Sequence, residues 1–160
     1  MNGLNEFTAK KMGELIAFAR LGTETSQKGL AAFVNIMNAD DIKALQETNA
    51  RQERALYLMA EQYGVTDIMD KKAEATLPKL RQMRDLYVKD QWENSAELSE
   101  WSGFYEGACI VHWAVVEGAA VGSDHEDLRA LAAEAKAYHE VKLNQFEAYL
   151  KNIGIAKTTL

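Results

Sequence analysis

The chain has 160 residues, of which 48% are hydrophobic, and its 18 lysines and arginines against 24 aspartates and glutamates give a net charge of −6. This hydrophobic share excludes a disordered chain, and the length predicts one domain over residues 1–160. The acidic balance and the absence of a basic patch exclude nucleic acid as an expected partner, because phosphate backbones bind cationic surfaces.

Cysteine usage and the distribution of apolar residues bear on the compartment. The single cysteine, Cys109, excludes an internal disulfide and a cysteine-cluster metal site. Residues 1–11 lack the apolar core of a signal peptide. The most apolar segment, residues 107–122, is too short to span a bilayer and contains His112 and Glu117. We therefore expect a cytoplasmic protein that is not inserted into a membrane.

Apolar residues recur at helical spacing along most of the chain, and one proline in the whole sequence permits long helices. The spacing predicts a first helix over about 4–37 and, after a short turn, a second helix over about 40–63 that Gly64 ends. Residues 65–94 contain the only proline, Pro78, which is typical of the first turn of a helix. We interpret this segment as a crossover that contains a shorter helix.

The second half of the chain repeats the pattern of two long helices joined by a tight turn. A third helix is predicted over about 95–121. Ser123 and Glu126 have the spacing of a capping box, which predicts the start of a fourth helix over about 124–152, with 153–160 as a frayed tail. Two short turns and one long link predict an all-α protein, a four-helix bundle with a long crossover between its second and third helices.

Polar residues interrupt the apolar stripe near the middle of each long helix. Residues equally far from a tight turn lie side by side in an antiparallel hairpin. By this count Glu24 lies level with Glu53, and Glu106 lies level with His139. Three carboxylates in a core repel one another, and a divalent metal would resolve the conflict; oxygen and imidazole ligands suit iron, manganese or zinc.

The same residues also have an interpretation without a metal. On the second helix the stripe positions are Asn49 and Gln52, and Glu53 lies beside them. A small rotation of each helix would place the glutamates at the edge of the bundle, paired with lysine or arginine. His139 would then be a hydrogen-bonded core histidine.

Three segments, 21–33, 42–64 and 104–150, resemble the ferritin-like superfamily, and most closely its rubrerythrin-type and small stress-associated members. The pattern of that family has one glutamate on the first and third helices and Glu-x-x-His on the second and fourth. Glu24 and Glu106 match the two single positions. Glu53 and His139 each match half of a pair.

Two positions depart from the family pattern, because Leu56 and Lys136 stand where a histidine and a glutamate are expected. The resemblance implies a ferritin-like fold and a metal site that handles oxygen, peroxide or iron. Its implied cofactor is iron or manganese, with zinc as a further candidate. The ligands carried over by the resemblance are Glu24, Glu53, Glu106 and His139.

Two other functions stay open at this point. One is a metal-free bundle that acts through oligomerisation or a protein partner, and the other is a bundle that binds an apolar ligand or haem through His112 or His139. The first helix is apolar on more than one face, whereas a bundle buries about one stripe per helix. A homodimer is therefore expected, with a surface that includes Leu15, Ile16, Phe18, Leu21, Leu30, Phe33, Val34 and Ile36.

Overall fold

The computed structural model describes residues 3–159 and is all-helical, with no strand in that range. Of its helices, none is both long enough and apolar enough to cross a membrane, as far as residues 3–159 are concerned. The six helices of the described chain are α1 Glu6–Lys28, α2 Leu30–Phe33, α3 Ala39–Tyr63, α4 Thr66–Val88, α5 Ser95–Gly122 and α6 Glu126–Thr158.

The prediction of one continuous first helix over 4–37 is wrong, because the chain breaks at Gly29 into α1 and the single turn of α2. The Gly29 backbone N–H donates to the Thr25 carbonyl oxygen at 2.8 Å. A Cβ atom at Gly29 would lie 3.1 Å from Leu98 Cδ1 and 3.2 Å from Phe33 Cε2. The missing side chain therefore lets the start of α5 pack closely against this break.

The predicted bounds of the second and third long helices are confirmed by α3 and α5. The Asn38 side chain accepts a hydrogen bond of 2.8 Å from the Asp41 N–H, which caps the start of α3. Gly64 ends α3 in the left-handed region, at a φ of 68°. The Asn94 side chain likewise caps the start of α5, where it accepts hydrogen bonds from two backbone N–H groups.

The crossover differs most from expectation, because α4 is a long helix of 23 residues rather than a short one. Pro78 lies in its interior, not in its first turn. Pro78 has no N–H to donate to the Glu74 carbonyl, but both residues lie on the exposed side of α4 and the helix continues through them. The apolar face that holds α4 against the rest of the protein consists of Met69, Ala73, Leu77, Leu80 and Val88.

Helix α4 runs parallel to α1 and packs along it. Gly13 of α1 contacts Met69 and Ala73, and Glu24 near the other end of α1 pairs with Arg81. The side chains of Leu15, Ile16, Phe18 and Leu21 are consequently all buried within one chain. The second apolar face of α1 is therefore not available as a surface for the expected homodimer. The homodimer stays a prediction.

Helices α5 and α6 form an antiparallel pair that completes the core. Tyr105 of α5 donates to the Phe18 carbonyl of α1 at 2.7 Å, and Tyr63 at the end of α3 donates to Asp127 at the start of α6 at 3.3 Å. Leu98 at the start of α5 approaches Gly29 at the end of α1, so α1 and α5 are antiparallel. Gln52 of α3 lies beside His139 of α6, so α3 and α6 are antiparallel as well. The middle of α3 and the middle of α6 therefore lie at the same level.

Both predicted ends of the last helix are wrong. Ser123 does not cap α6, because its hydroxyl donates to the Ala119 carbonyl of α5 at 2.7 Å. The helix begins at Glu126 after His125, whose side chain makes no capping hydrogen bond. At the other end, residues 153–158 continue the helix instead of forming a frayed tail.

Replacing Gly13 with alanine tests the contact between α1 and α4. A Cβ there would lie 2.4 Å from the Met69 carbonyl oxygen and 2.8 Å from Lys72 Cβ. The two helices must separate, so Gly13→Ala is expected to lower the free energy of unfolding by roughly 1–3 kcal/mol in urea titrations.

Gly118→Ala is the matched control on α5. Nothing lies within 4 Å of a Cβ at that position, and alanine is the better helix former. An increase in stability of roughly 0.5–1 kcal/mol is expected. Equal stability of the Gly13→Ala variant and the wild type would contradict the described packing of α4 on α1.

Candidate functional site

A buried glutamate–histidine pair lies at the centre of the helical core. The Glu106 carboxylate lies 2.5 Å from Nδ1 of His139, and both residues are only 2% exposed. The other ring nitrogen, Nε2, lies 3.1 Å from the Gln52 side-chain oxygen. Both ring nitrogens are thus within hydrogen-bond distance of a polar partner, one on α5 and one on α3.

A cavity of about 20 Å³ adjoins Glu106 on the side facing α1. It has room for a group the size of one water molecule. Its lining combines Thr25, Ser26, Ser102 and Tyr105 with apolar residues, namely Phe33, Leu45, Trp101 and Phe146. The space beside the carboxylate is thus small and mainly apolar.

Two neighbouring side chains in this core are held in their neutral forms. Burial raises the pKa of the Tyr105 hydroxyl well above its usual value. Burial also raises the pKa of the Cys109 thiol, and the charge of Glu106 acts in the same direction. Cys109 therefore lacks the thiolate character that makes a cysteine reactive, as expected of a small core residue.

Glu24 lies away from this centre and faces α4. Its carboxylate is hydrogen-bonded to Arg81, and Arg84 Nη1 approaches it to 3.4 Å. The hydrogen bond from Arg81 is the largest influence on the carboxyl group and lowers the pKa of Glu24. The positive charge that this glutamate needs is thus supplied by α4.

Glu53 also lies apart from the centre, in a hydrogen-bonded chain that joins three helices. Arg20 of α1 donates to its carboxylate at 2.8 Å and to the Tyr57 hydroxyl at 2.9 Å. That hydroxyl lies 2.5 Å from Asp70 of α4. Glu53 therefore contributes to the packing of α1, α3 and α4.

Two of the four predicted ligands, Glu106 and His139, come together, and Glu24 and Glu53 do not. Along an α-helix, neighbouring residues differ in side-chain direction by about 100° around the helix axis. On α3, Gln52 therefore points to the centre, and the next residue, Glu53, points to Arg20. Within residues 3–159, no group of three or more histidine, cysteine, aspartate or glutamate side chains has the arrangement of a metal site.

A second feature is a groove between α4 and α5, with α1 as its floor. Both helices pack on α1 but make few contacts with each other, which leaves a volume of about 770 Å³. Its walls expose Met83, Leu86 and Phe104 by 58, 68 and 62%. Its further apolar lining consists of Phe18, Leu21, Leu80, Tyr87, Trp101, Tyr105 and Ala108.

Aromatic contacts close one end of the groove. The ring of Tyr87 packs edge-on against Phe104 with 5.2 Å between centroids, and it lies 6.1 Å from the centroid of Trp101. The Tyr87 hydroxyl donates to Glu100 at 2.9 Å. Tyr87 is thereby held between the end of α4 and the start of α5.

Charged and polar side chains occupy the opposite end. Glu14 of α1 lies 3.1 Å from Lys11 and 3.4 Å from Lys72, and His112 Nε2 lies 3.6 Å from it. His112 Nδ1 donates to the Ala108 carbonyl at 2.8 Å. The sequence placed His112 outside the polar layer, but it did not indicate the groove because α4 was expected to be short.

Removing one member of the buried pair should be more damaging than removing both. Glu106→Leu leaves Nδ1 of the buried His139 without its hydrogen-bond partner and is expected to lower the free energy of unfolding by roughly 1–3 kcal/mol. Replacing both residues with leucine should cost less than that single change, since neither member of the pair is then left without its partner. Urea unfolding of the two single variants and the double variant measures the difference.

Glu47→Leu provides the control, because Glu47 lies on the exposed face of α3 and its ion pair with Lys43 is solvated. Its stability should stay close to that of the wild type. Additive effects of the Glu106 and His139 substitutions would show that the two side chains do not interact.

No protein-family model, curated protein or solved structure matches this chain. The resemblance to ferritin-like proteins therefore stays a prediction.

Proposed function

We propose that this protein binds a small apolar molecule in the groove between α4 and α5. The observation that carries the proposal is the groove itself, whose volume of about 770 Å³ lies within the roughly 300–1,000 Å³ of small-molecule sites. Like those sites, it combines mainly apolar and aromatic walls with a few polar groups at one end. This develops the apolar-ligand alternative that the sequence left open.

The exposed side chains of the walls support a ligand. Met83, Leu86 and Phe104 are each more than half exposed although they surround one concavity. A ligand that covers them removes apolar surface from water, which contributes roughly 25 cal/mol per Å². Phe18 and Leu21 are buried and provide a rigid floor on α1.

The proposed architecture is a ferritin-like four-helix bundle of α1, α3, α5 and α6, with α4 as the crossover. The antiparallel contacts of α1 with α5 and of α3 with α6 support it. So does the parallel course of α4 along α1, which returns the chain to the end where α5 begins. In this arrangement α4 lies outside the bundle, and its contact with α1 creates the groove beside α5.

Metal binding at Glu106 and His139 is the second candidate, with iron, manganese or zinc as the ion. The observation in its favour is a buried carboxylate and imidazole in contact beside a cavity of about 20 Å³. Glu24 and Glu53 would have to leave their arginine partners to join such a site. The groove needs no rearrangement, and we therefore prefer ligand binding to oxygen, peroxide or iron chemistry.

Binding of the neutral fluorescent probe N-phenyl-1-naphthylamine tests the groove. We expect saturable binding with quenching of Trp101 emission, because Trp101 lies in the wall. Met83→Glu should weaken binding at least tenfold, about 1.4 kcal/mol, since it places a carboxylate against an apolar ligand. Leu58→Glu is the control on α3, where Leu58 is 66% exposed, and it should bind as the wild type does.

Loss of binding in both variants alike would mean that the probe adheres to exposed apolar residues generally. Absence of saturable binding by the wild type would reject the proposal. Competition by alkyl compounds of increasing length should strengthen about fourfold per methylene until the groove is filled, at ~0.8 kcal/mol per CH₂.

Thermal unfolding with added iron, manganese or zinc, and after chelation, tests the second candidate. A metal held by Glu106 and His139 should stabilise the wild type by about 2.7 kcal/mol at a hundredfold excess over its dissociation constant. Glu106→Gln should abolish this effect and Glu53→Leu should preserve it, because Glu53 lies outside the centre. Melting that ignores every metal and the chelator removes the metal candidate.

A further inference from the structure

We infer that the ligand of the groove is a single-chain amphiphile with an anionic head group, an inference that rests on the proposed function. The head group lies at the end formed by Lys72, Thr76 and Lys79, and the alkyl chain extends toward Tyr87 and Trp101. The inference follows from the order of side chains along the groove and from the balance of charge at its polar end.

The α4 wall changes from polar to apolar along its length. Lys72, Thr76 and Lys79 follow one another at helical spacing on the side that lines the groove, and Met83 and Leu86 continue the same stripe. From Lys72 to Leu86 this wall extends about 21 Å at the helical rise. An elongated ligand with one polar end matches this wall.

The other two sides of the groove change in the same direction. On the antiparallel α5, Trp101 and Phe104 lie at the end of Leu86 and Tyr87, and His112 lies at the end of Lys72. On the floor, Glu14 of α1 lies at the polar end, and Phe18 and Leu21 lie toward the apolar end. On α1 and α5 the polar lining is confined to the level of Lys72, whereas on α4 it continues to Lys79, about 10 Å farther along at the helical rise.

The charge at the polar end is positive on balance. Glu14 is paired with both Lys11 and Lys72, so its single negative charge is already offset. Lys79 lines the groove as well, and the positions three and four residues away from it on α4, residues 75, 76, 82 and 83, carry no acid. A ligand anion is the complement for this lysine.

His112 and Thr76 add hydrogen-bonding groups to the head-group end. The Ala108 carbonyl accepts from His112 Nδ1, so the Nε2 atom is the one directed toward Glu14. The Thr76 hydroxyl lies on the opposite wall. A carboxylate or a phosphate monoester has the acceptor oxygens that a lysine and a hydroxyl bind.

Displacement of bound N-phenyl-1-naphthylamine by ligands of equal chain length tests the head group. Dodecanoate and dodecyl phosphate should displace the probe at concentrations at least tenfold lower than dodecanol, and dodecylammonium should be the weakest competitor. The ratio between the two anions identifies whether a carboxylate or a phosphate is preferred. All competitors are used below their critical micelle concentrations, with the full chain at low ionic strength.

Lys79→Glu should remove the preference for anions over the alcohol. The preference is measured as the ratio of the two displacement concentrations within each variant, so that any change in affinity for the neutral probe cancels. Lys71→Glu is the matched control, because Lys71 is an exposed lysine of the same helix that does not line the groove. It makes the same change in net charge and should keep the preference. Circular dichroism of both variants shows whether α4 stays folded.

The outcomes separate this inference from the function on which it rests. Saturable probe binding with equal displacement by anion, alcohol and ammonium overturns the head-group inference and leaves apolar-ligand binding intact. Loss of the anion preference in Lys71→Glu as well as Lys79→Glu overturns it too, since the effect would then be one of net charge. Absence of probe binding by the wild type rejects both.

Discussion

The close contact of α4 with α1 is the constraint on which the other features depend. It requires a residue without a side chain at position 13, where the backbone of Met69 approaches α1. Near the other end of α1 it is held by Glu24 and the arginines of α4, one of which, Arg84, is only 5% exposed. The contact buries the second apolar face of α1. It also leaves a concave surface between α4 and α5, which make few contacts with each other.

The polar groups at the centre of the core behind this contact are tolerated because they satisfy one another. Glu106 lies in hydrogen-bond distance of one ring nitrogen of His139 and Gln52 of the other. Where a polar group is taken out of water, such pairing decides whether it is tolerated. The pair also fixes how α3, α5 and α6 rotate relative to one another, since a shift of one residue would bury an unpaired group.

The sequence predicted an all-helical chain and the bounds of α3 and α5, because caps such as Asn38 and Gly64 act over a few residues. It failed where tertiary packing overrides local signals. Pro78 suggested a helix start, yet the apolar stripe from Met69 to Val88 packs on α1 and keeps the helix continuous through the proline. Ser123 had the spacing of a cap but its hydroxyl bonds back to α5.

The candidate sites show the same limit. Counting residues from a turn gives the level of a side chain, and Glu106 and His139 do share one. It does not give the direction of the side chain around the helix axis, which is why Gln52 and not Glu53 reaches the centre. The groove depends on how α4 and α5 each pack on α1, from which both are more than thirty residues away in sequence, and no pattern within one helix indicates such a gap.

The most exposed residues of the groove walls do little to hold the protein together. Met83, Leu86 and Phe104 are largely exposed, whereas the packing of α4 depends on Met69, Ala73 and Leu77 on its other face. Substitutions on the groove side can therefore accumulate in a lineage at little cost in stability. Relatives of this chain could keep its helical framework and diverge in what they bind, and the same independence would let the groove be redesigned without rebuilding the core.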